Sequence, residues 1–213
     1  MARSRLAVLL LVPLAVLPAA CGGGDDTGGL PTVSDSSAPT SATPGTPSAT
    51  SSASPAPTTQ PTRSVGKYAN LTVDLRRPAG LSASASAAVV TFQQLHLAFG
   101  ALAAGASSPP PMSRSAEPVV VKYLDAVLKP QLGRKEHSGG TMTVRVTKAQ
   151  ASGEIAAVNG CLDQTKLITY RANGTKYVDA SVRRSPTLTI QTTLSRSAGI
   201  WKVSNYVLKE TRC

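Results

Sequence analysis

A segment that cannot form a hydrophobic core divides this chain of 213 residues. Between Ser34 and Ser64, 27 of the 31 residues are Ser, Thr, Pro or Ala. Such a segment buries too little apolar surface to offset the conformational entropy lost on folding, and its prolines favour extended polyproline II. We therefore expect residues 21–65 to form a disordered tether and residues 66–213 to form a single folded domain.

The first twenty residues have the pattern of a secretory signal. Arg3 and Arg5 precede an apolar run, Leu6–Leu17, which is too short to span the ~30 Å hydrocarbon core of a bilayer. The next residues, Pro18-Ala19-Ala20-Cys21, resemble a bacterial lipobox in which proline takes the place of the usual leucine. The resemblance implies cleavage after residue 20, a diacylglyceryl anchor on Cys21 and a location on the extracytoplasmic face of the cell membrane. Ordinary cleavage, which would release a free secreted protein, is the alternative.

The excess positive charge lies in the predicted domain. The chain has 22 Lys and Arg against 11 Asp and Glu, a formal charge of +11, and these basic residues are scattered. Outside the cytoplasm we expect no nucleic-acid partner, and the available counter-charges are anionic lipid headgroups and cell-wall polymers. A solvated surface that keeps the protein soluble is the alternative.

Two amphipathic helices are predicted in the first half of the domain, after a short strand at Asn70–Leu75. Between Ala87 and Ala104 the spacings of three and four indicate a helix whose buried face contains Val89, Phe92, His96, Phe99 and Leu102. A second helix is predicted from Ser115, a suitable N-cap, to Leu128 or Lys129, since Pro130 disfavours its continuation. Its buried stripe is predicted to be Val120, Tyr123, Leu124, Val127 and Leu128.

The hydrophobic period then changes from that of a helix to that of a strand. His137 is expected in a loop, and the strands predicted after it are Met142–Val146, Ile155–Leu162, Leu167–Tyr170, Leu188–Leu194 and Ile200–Leu208. Asn173-Gly174 predicts a hairpin turn. In the last strand, one face is predicted to carry Trp201, Val203, Asn205 and Val207. The fold class is therefore α+β, with a curved antiparallel sheet of about five strands wrapped around two or three N-terminal helices.

A family resemblance rests on three segments of the domain. They are Gly160-Cys161-Leu162-Asp163, Gly199-Ile200-Trp201-Lys202-Val203 and the terminal Cys213. In this order, after a lipobox and a Ser/Thr/Pro tether, they resemble actinobacterial lipoproteins of the nuclear transport factor two-like superfamily. The resemblance covers residues 87–213 and implies a cystatin-like cone, in which a bent sheet wraps around helices.

The three cysteines agree with this resemblance. If Cys21 carries the lipid, Cys161 and Cys213 remain, and the extracytoplasmic side permits a disulfide between them. Two free thiols in a redox or metal site are the competing interpretation. Neither CxxC nor HExxH occurs in the sequence, and we expect no metal and no cofactor.

Cones of this superfamily hold ligands, and the resemblance therefore directs attention to the residues that would line one. The candidates are Phe92, His96, Phe99, Tyr123 and Trp201. Ketosteroid isomerases and polyketide cyclases in the superfamily use cone-lining Asp, His or Tyr for proton transfer, which requires a pKa brought near neutrality. His96 is the weak catalytic candidate here, because a lone His on an apolar helix face is usually a packed core residue.

Three functions are compatible with these observations. We expect a non-catalytic domain of the cell envelope that binds either a small apolar ligand in the cone or an unknown protein partner. One alternative is a small isomerase or cyclase that uses His96. The other is a structural module whose basic surface adheres to cell-wall polymers, with binding that weakens as salt rises.

Overall fold

A computed structural model of the protein describes residues 61–213. The predicted signal, Cys21 and most of the predicted tether lie outside the described residues. The described part contains seven strands, three α-helices and a short 3₁₀ helix at Met112–Arg114. In chain order the strands and α-helices are β1 (Arg63–Tyr68), β2 (Leu71–Arg76), α1 (Ala83–Ala103), α2 (Pro118–Gly133), β3 (His137–Ser152), β4 (Ile155–Tyr170), β5 (Lys176–Tyr177), α3 (Ala180–Arg184), β6 (Thr187–Ser197) and β7 (Ile200–Lys209).

The strands form one curved sheet. Its order is β1-β2-β3-β4-β6-β7, and the short β5 pairs with β4. Every neighbouring pair is antiparallel except β2 and β3, which are parallel and are joined by a crossover that contains α1 and α2. The prediction of an α+β fold with a large curved, mainly antiparallel sheet and few helices is confirmed. The sheet has seven strands and not about five, because β1 pairs with β2 and the short β5 pairs with β4. The third helix, α3, lies between β5 and β6 and not at the N-terminal end of the domain.

Helix α1 lies against the inner face of the sheet and supplies the centre of the core. Phe92 and Leu95 on α1 are fully buried, as are Ile190 and Leu194 on β6. Burying such a side chain contributes roughly 1.5–3 kcal/mol relative to leaving it exposed. The helix is long and apolar enough to cross a membrane, but 56% of its most apolar window is buried inside the domain. Its burial identifies α1 as a core helix.

The N-terminal edge of the domain lies earlier than expected. Strand β1 begins at Arg63, within the last residues of the predicted tether, and pairs with β2 along its whole length. Asp74 on β2 stabilises this hairpin, because its buried carboxylate accepts hydrogen bonds from the guanidinium groups of Arg63 and Arg76. The order of β1 therefore depends on its partner strand, and its own sequence carries no comparable apolar alternation.

Helix α2 continues past the proline that was expected to end it. Pro130 lies inside the helix, which reaches Gly133. Proline lacks the N–H that would bond to the carbonyl one turn back. The last turn is held instead by Gln131, whose Nε2 donates to the carbonyl oxygen of Ala103 at 3.1 Å and to Oγ of Ser138 at 3.2 Å. The prediction was wrong because these tertiary contacts offset the local cost of the proline.

Two further corrections concern β3 and β4. His137 is the first residue of β3 and not part of a loop, and its ring stacks on that of Tyr170 with centroids 5.1 Å apart. The two strands predicted at Ile155–Leu162 and Leu167–Tyr170 are one strand of 16 residues, with a β-bulge beside Asp163. Bulges bend long strands and increase their twist, which allows β3 and β4 to curve around α1.

The outer face of the sheet carries a disulfide. Cys161 on β4 is bonded to Cys213, with their Cα atoms 5.7 Å apart. The adjacent Gly160 faces α1, so Cys161 points to the opposite side of the sheet. The C-terminal tail crosses β6, where the Thr211 hydroxyl donates to that of Thr189 at 2.9 Å. The expected pairing is thus present, and it ties the end of the chain to the middle of the sheet.

Candidate ligand-binding cavity

A bulge in β7 determines which side chains of this strand face inward. The pairing of β7 with β6 shifts by one residue at Ser204. Before the bulge, Trp201 and Val203 are buried against the core. After the bulge, Tyr206 and not Asn205 faces the inner side. The predicted face of Trp201, Val203, Asn205 and Val207 is therefore wrong beyond Val203, because one extra residue reverses the inward and outward positions of a strand.

Because its side chain faces inward, Tyr206 lines a cavity. The cavity is enclosed by the sheet, by α2, by α3 and by the C-terminal half of α1. The cavity has a volume of about 440 Å³, within the range of roughly 300–1,000 Å³ that is typical of small-molecule sites. Its wall is mainly apolar and includes Phe99, Leu124, Leu128, Met142, Leu162 and Leu208. The polar groups of the wall include His96, Gln131, Ser138, Gln164, Thr169 and Tyr206. The exposed Pro130, Arg134 and Glu210 also line it, which places its opening at the end of α2.

His96 and Tyr206 form a hydrogen-bonded pair with a fixed direction. Nδ1 of the buried His96 lies 2.9 Å from the carbonyl oxygen of Phe92, which can only accept, so the ring proton is assigned to Nδ1. Burial lowers the pKa of His96 to about 4, against a weaker opposing effect of the Phe92 hydrogen bond. The ring is therefore neutral at pH 7, and its Nε2 accepts from the Tyr206 hydroxyl at 3.0 Å. Burial also raises the pKa of Tyr206, which keeps this hydroxyl protonated.

A buried carboxylate fixes the arginine at the opening. Glu136 accepts hydrogen bonds from Nε of Arg134 and from the hydroxyl of Tyr177, both at 2.8 Å. Burial acts to raise the pKa of Glu136, but the hydrogen bonds from Arg134 and Tyr177 outweigh it and lower the pKa. Arg134 thus stays paired with an ionised carboxylate while its side chain, 52% exposed, borders the cavity.

The structure brings two of the five candidate lining residues to the cavity wall. These are His96 and Phe99. Phe92 is completely buried in the core, with its ring centroid 4.3 Å from that of His96, and Trp201 is buried beneath Arg196. The structure places neither Phe92 nor Trp201 on the wall.

Tyr123 also lies away from the wall. It is 40% exposed, because the buried stripe of α2 consists of Val120, Leu124 and Leu128 and leaves Tyr123 on the flank of the helix. The expected burial of Tyr123 and of Val127, which is 45% exposed, is therefore wrong, although Val127 does border the cavity. The ring of Tyr123 lies 6.2 Å from that of Tyr206.

Two titratable groups of the wall, His96 and Asp179, are engaged in hydrogen bonds within the protein. Both ring nitrogens of His96 already take part in hydrogen bonds, and its pKa of about 4 makes it a weak base at neutral pH. Asp179, which also lines the cavity, accepts from the hydroxyl and backbone N–H of Ser181, and these bonds lower its pKa. Within residues 61–213, no group of three or more His, Cys, Asp or Glu is arranged to hold a metal ion.

Sequence reasoning did not identify Tyr206, and the relevant signal was weak. The stretch from Ile200 to Lys209 alternates in either phase, and only its pairing with β6 shows that the phase changes at Ser204. The sequence signal that could have suggested it is the pair Ser204-Asn205, two residues that favour irregular backbone over the interior of a strand.

Comparisons with known proteins found distant likenesses. No protein-family model matches the chain, and no curated protein matches it. One similar solved structure is the intermembrane space region of the chloroplast protein ARC6, with 16% identity, a TM-score of 0.39 and coverage of 63% of this chain and 100% of that chain. Another is Aln2 from a Streptomyces species, with 19% identity, a TM-score of 0.33 and coverage of 61% of this chain and 92% of that chain. At these TM-scores neither likeness bears on function. The fold and cavity themselves define the class of protein: an α+β domain with a curved sheet around a mainly apolar cavity.

Proposed function

We propose that the protein is a membrane-anchored lipoprotein of the cell envelope whose domain binds a small apolar ligand without transforming it. The observation that carries the binding function is the apolar cavity of about 440 Å³ with one oriented polar pair, His96 and Tyr206, on its wall. The lipobox-like sequence before Cys21 and the Ser/Thr/Pro-rich segment after it support anchoring on the extracytoplasmic face.

We assign the domain to the cystatin-like cones of the nuclear transport factor two-like superfamily. Three features support this assignment. The long strands β3 and β4 bend at bulges, α1 lies within the curve of the sheet, and a cavity remains between the sheet and α2. In such a domain α2 acts as the cover of the cavity, because only Val120, Leu124 and Leu128 of this helix are buried.

Non-catalytic binding accounts for the site better than proton transfer does. A general base must be free to take a proton, whereas His96 donates to Phe92 and accepts from Tyr206. Adhesion through basic residues is also less well supported. Arg63 and Arg76 are both engaged with Asp74, and Arg134 is engaged with Glu136, which reduces the charge available for a polymer.

The anchor is tested by membrane fractionation and intact-mass analysis in the natural host. We expect the wild-type chain to remain with the membrane and to carry a lipid mass on Cys21. The Cys21→Ser chain should appear in the medium or the wall fraction without that mass. A wild-type chain that is released without lipid would contradict the anchor and leave the binding function to its own test.

The binding function is tested by native mass spectrometry of the Cys21→Ser chain, purified from the host without detergent. We expect a small molecule bound to the chain. Val127 is 45% exposed and borders the cavity, so Val127→Trp should obstruct the opening and strongly reduce the bound fraction. The matched control is Val119→Trp, two turns earlier on α2, where the side chain is 67% exposed and does not line the cavity. An empty chain, or equal occupancy in both variants, would contradict the proposal.

A further inference from the structure

We propose that the cavity selects ligands whose polar group donates a hydrogen bond over ligands of the same shape whose polar group only accepts one. The preferred class is therefore an apolar molecule that carries a hydroxyl or an N–H, such as an alcohol, rather than the corresponding ketone or ether. This inference rests on the proposed binding function and concerns the same site.

The direction of two linked hydrogen bonds carries the inference. The carbonyl of Phe92 requires a proton on Nδ1 of His96, so Nε2 is left as an acceptor. The Tyr206 hydroxyl lies 3.0 Å from Nε2 and gives its only proton to it. What Tyr206 still offers to the cavity is a lone pair on its oxygen. A ligand group at this point must therefore supply the proton.

Two polar side chains of the wall, Gln131 and Ser138, and the neighbouring Thr192, which lies outside the wall, also donate their protons within the protein. Nε2 of Gln131 donates to Ala103 and to Ser138, and the Ser138 hydroxyl donates to Oε1 of Gln131 at 3.4 Å. Thr192, which lies opposite Tyr206 in the sheet, gives its hydroxyl proton to the carbonyl of Val158 at 2.7 Å. Thr192 therefore does not donate to the oxygen of Tyr206 and leaves its lone pair to a ligand.

A ligand whose polar group accepts hydrogen bonds but donates none would bind unfavourably next to Tyr206. Its oxygen would face the lone pair of Tyr206 and would lose its own hydrogen bond to water without a replacement, which costs about 1–3 kcal/mol. To bind such a group, the phenol would have to turn its proton from Nε2 of His96 to the ligand and leave this buried nitrogen without a partner. Otherwise His96 would have to be protonated, so that Nε2 donates to Tyr206 and the phenol donates to the ligand. The burial of His96 opposes that protonation.

The test compares three ligands of nearly equal shape, namely cyclooctanol, cyclooctanone and methylcyclooctane. Each is titrated by calorimetry into the chain from Gly22 to Cys213, which lacks only the predicted signal and the cysteine proposed to carry the lipid. We expect cyclooctanol to bind about tenfold more tightly than cyclooctanone. Equal affinities of the alcohol, the ketone and the hydrocarbon would overturn this inference and leave the proposed function standing. If none of the three bound, both proposals would fail.

Variants of His96 and Tyr206 test whether the preference depends on the direction of their hydrogen bond or only on the presence of a polar group. Tyr206→Phe should abolish the preference for cyclooctanol. His96→Leu frees the phenol proton and should shift the preference towards cyclooctanone, whereas Tyr123→Phe removes a nearby hydroxyl outside the cavity and should leave the preference unchanged. Circular dichroism and thermal unfolding establish that each variant is folded. A preference that survives both Tyr206→Phe and His96→Leu would overturn the inference.

The tautomer of His96 gives an independent readout. We expect nitrogen-15 NMR of the ring to show a proton on Nδ1 and none on Nε2 at pH 7, both with and without cyclooctanol. A proton on Nε2 in the free chain would contradict the hydrogen-bond direction on which the selectivity depends.

Discussion

The Tyr206 hydroxyl donates to Nε2 of His96 at 3.0 Å and so joins two residues that are 110 positions apart in the chain. This contact connects α1 in the core to the last strand of the sheet. Burial of His96 lowers its pKa to about 4, against a weaker opposing effect of its hydrogen bond to Phe92. The contact with Tyr206 therefore orients the cavity wall, and the burial of His96 makes the stability of the domain depend on pH.

We expect the domain to lose stability between pH 7 and pH 5 because of His96. The unfolded chain binds a proton on this residue below about pH 6.5, whereas the folded chain resists protonation until about pH 4. The neutral His96 therefore contributes its full share to the free energy of unfolding above the pKa that it has in the unfolded chain. This share is lost as pH falls, and the loss reaches about 2 kcal/mol at pH 5. Urea unfolding at the two pH values measures it. His96→Leu should lose about 2 kcal/mol less than the wild type over this interval, and equal losses in both chains would contradict the burial of a neutral histidine.

We expect Gly140→Ala to destabilise the domain far more than Gly174→Ala. Both glycines have φ near +80°, a conformation that costs a residue with a Cβ about 1–2 kcal/mol. At Gly140 the added Cβ would also collide with the carbonyl oxygen of Lys166, whereas at Gly174 it would enter open space. The collision adds about 1–3 kcal/mol. Chemical denaturation of both variants measures the difference, and equal losses would show that β3 and β4 can separate at Gly140 without cost.

We expect reduction of the disulfide to lower stability while leaving the cavity intact. The bond spans a sequence separation of 52 residues, for which the chain-entropy account predicts a contribution of about 4 kcal/mol. The double variant Cys161→Ala, Cys213→Ala should show this loss in urea unfolding. Because Cys161 lies on the outer face of the sheet, ligand binding below the unfolding transition should be unchanged. An unaltered free energy of unfolding would contradict the role of the bond.

We expect Asp74→Asn to loosen β1. The side chain of Asp74 is 5% exposed, and the hydrogen bond from Arg63 is the main cause of its lowered pKa. The arginine partners are 61% and 54% exposed, so screening limits the loss to about 1–2 kcal/mol. The lowered pKa means that this stabilisation is present at neutral pH and is lost on acidification. Hydrogen exchange of Ser64 and Gly66, whose pairs with β2 are the hydrogen-bonded ones, measures the loosening.

The control for Asp74 is Asp125→Asn on the exposed side of α2, which should alter neither the free energy of unfolding nor the exchange of β1. If Asp74→Asn exchanged at the wild-type rate throughout β1, the ion pairs would not be what holds the hairpin.

Much of the fold could be predicted because its signals are local. The apolar spacing of α1 and the alternation of β6 follow directly from the geometry of helices and strands. The start of α1 was placed four residues late, since the Ser82 side chain accepts from the N–H of Ala85 and extends the helix to Ala83. The end of α2 was missed for a different reason, because Gln131 compensates for Pro130 through contacts with distant residues.

The candidate site was predicted only in part. The helical spacing of apolar residues in α1 predicted that His96 and Phe99 lie on its inner face, and both line the cavity. The burial of Tyr123 was predicted wrongly, because the apolar face of α2 is wider than the part of it that packs against the domain. Only Val120, Leu124 and Leu128 of this helix are buried. Tyr206 was missed because its direction depends on a bulge, and a bulge arises from the pairing of two strands.

The sequence by itself determined the fold class and the approximate positions of most helices and strands, because apolar period, proline and glycine act over a few residues. Only the tertiary structure decided which side chains meet at the cavity. The extra residue at Ser204 turns the side chain of Tyr206 inward. There the Tyr206 hydroxyl donates its proton to Nε2 of His96. No local pattern specifies such a contact, since the face that a strand presents depends on its register with the neighbouring strand.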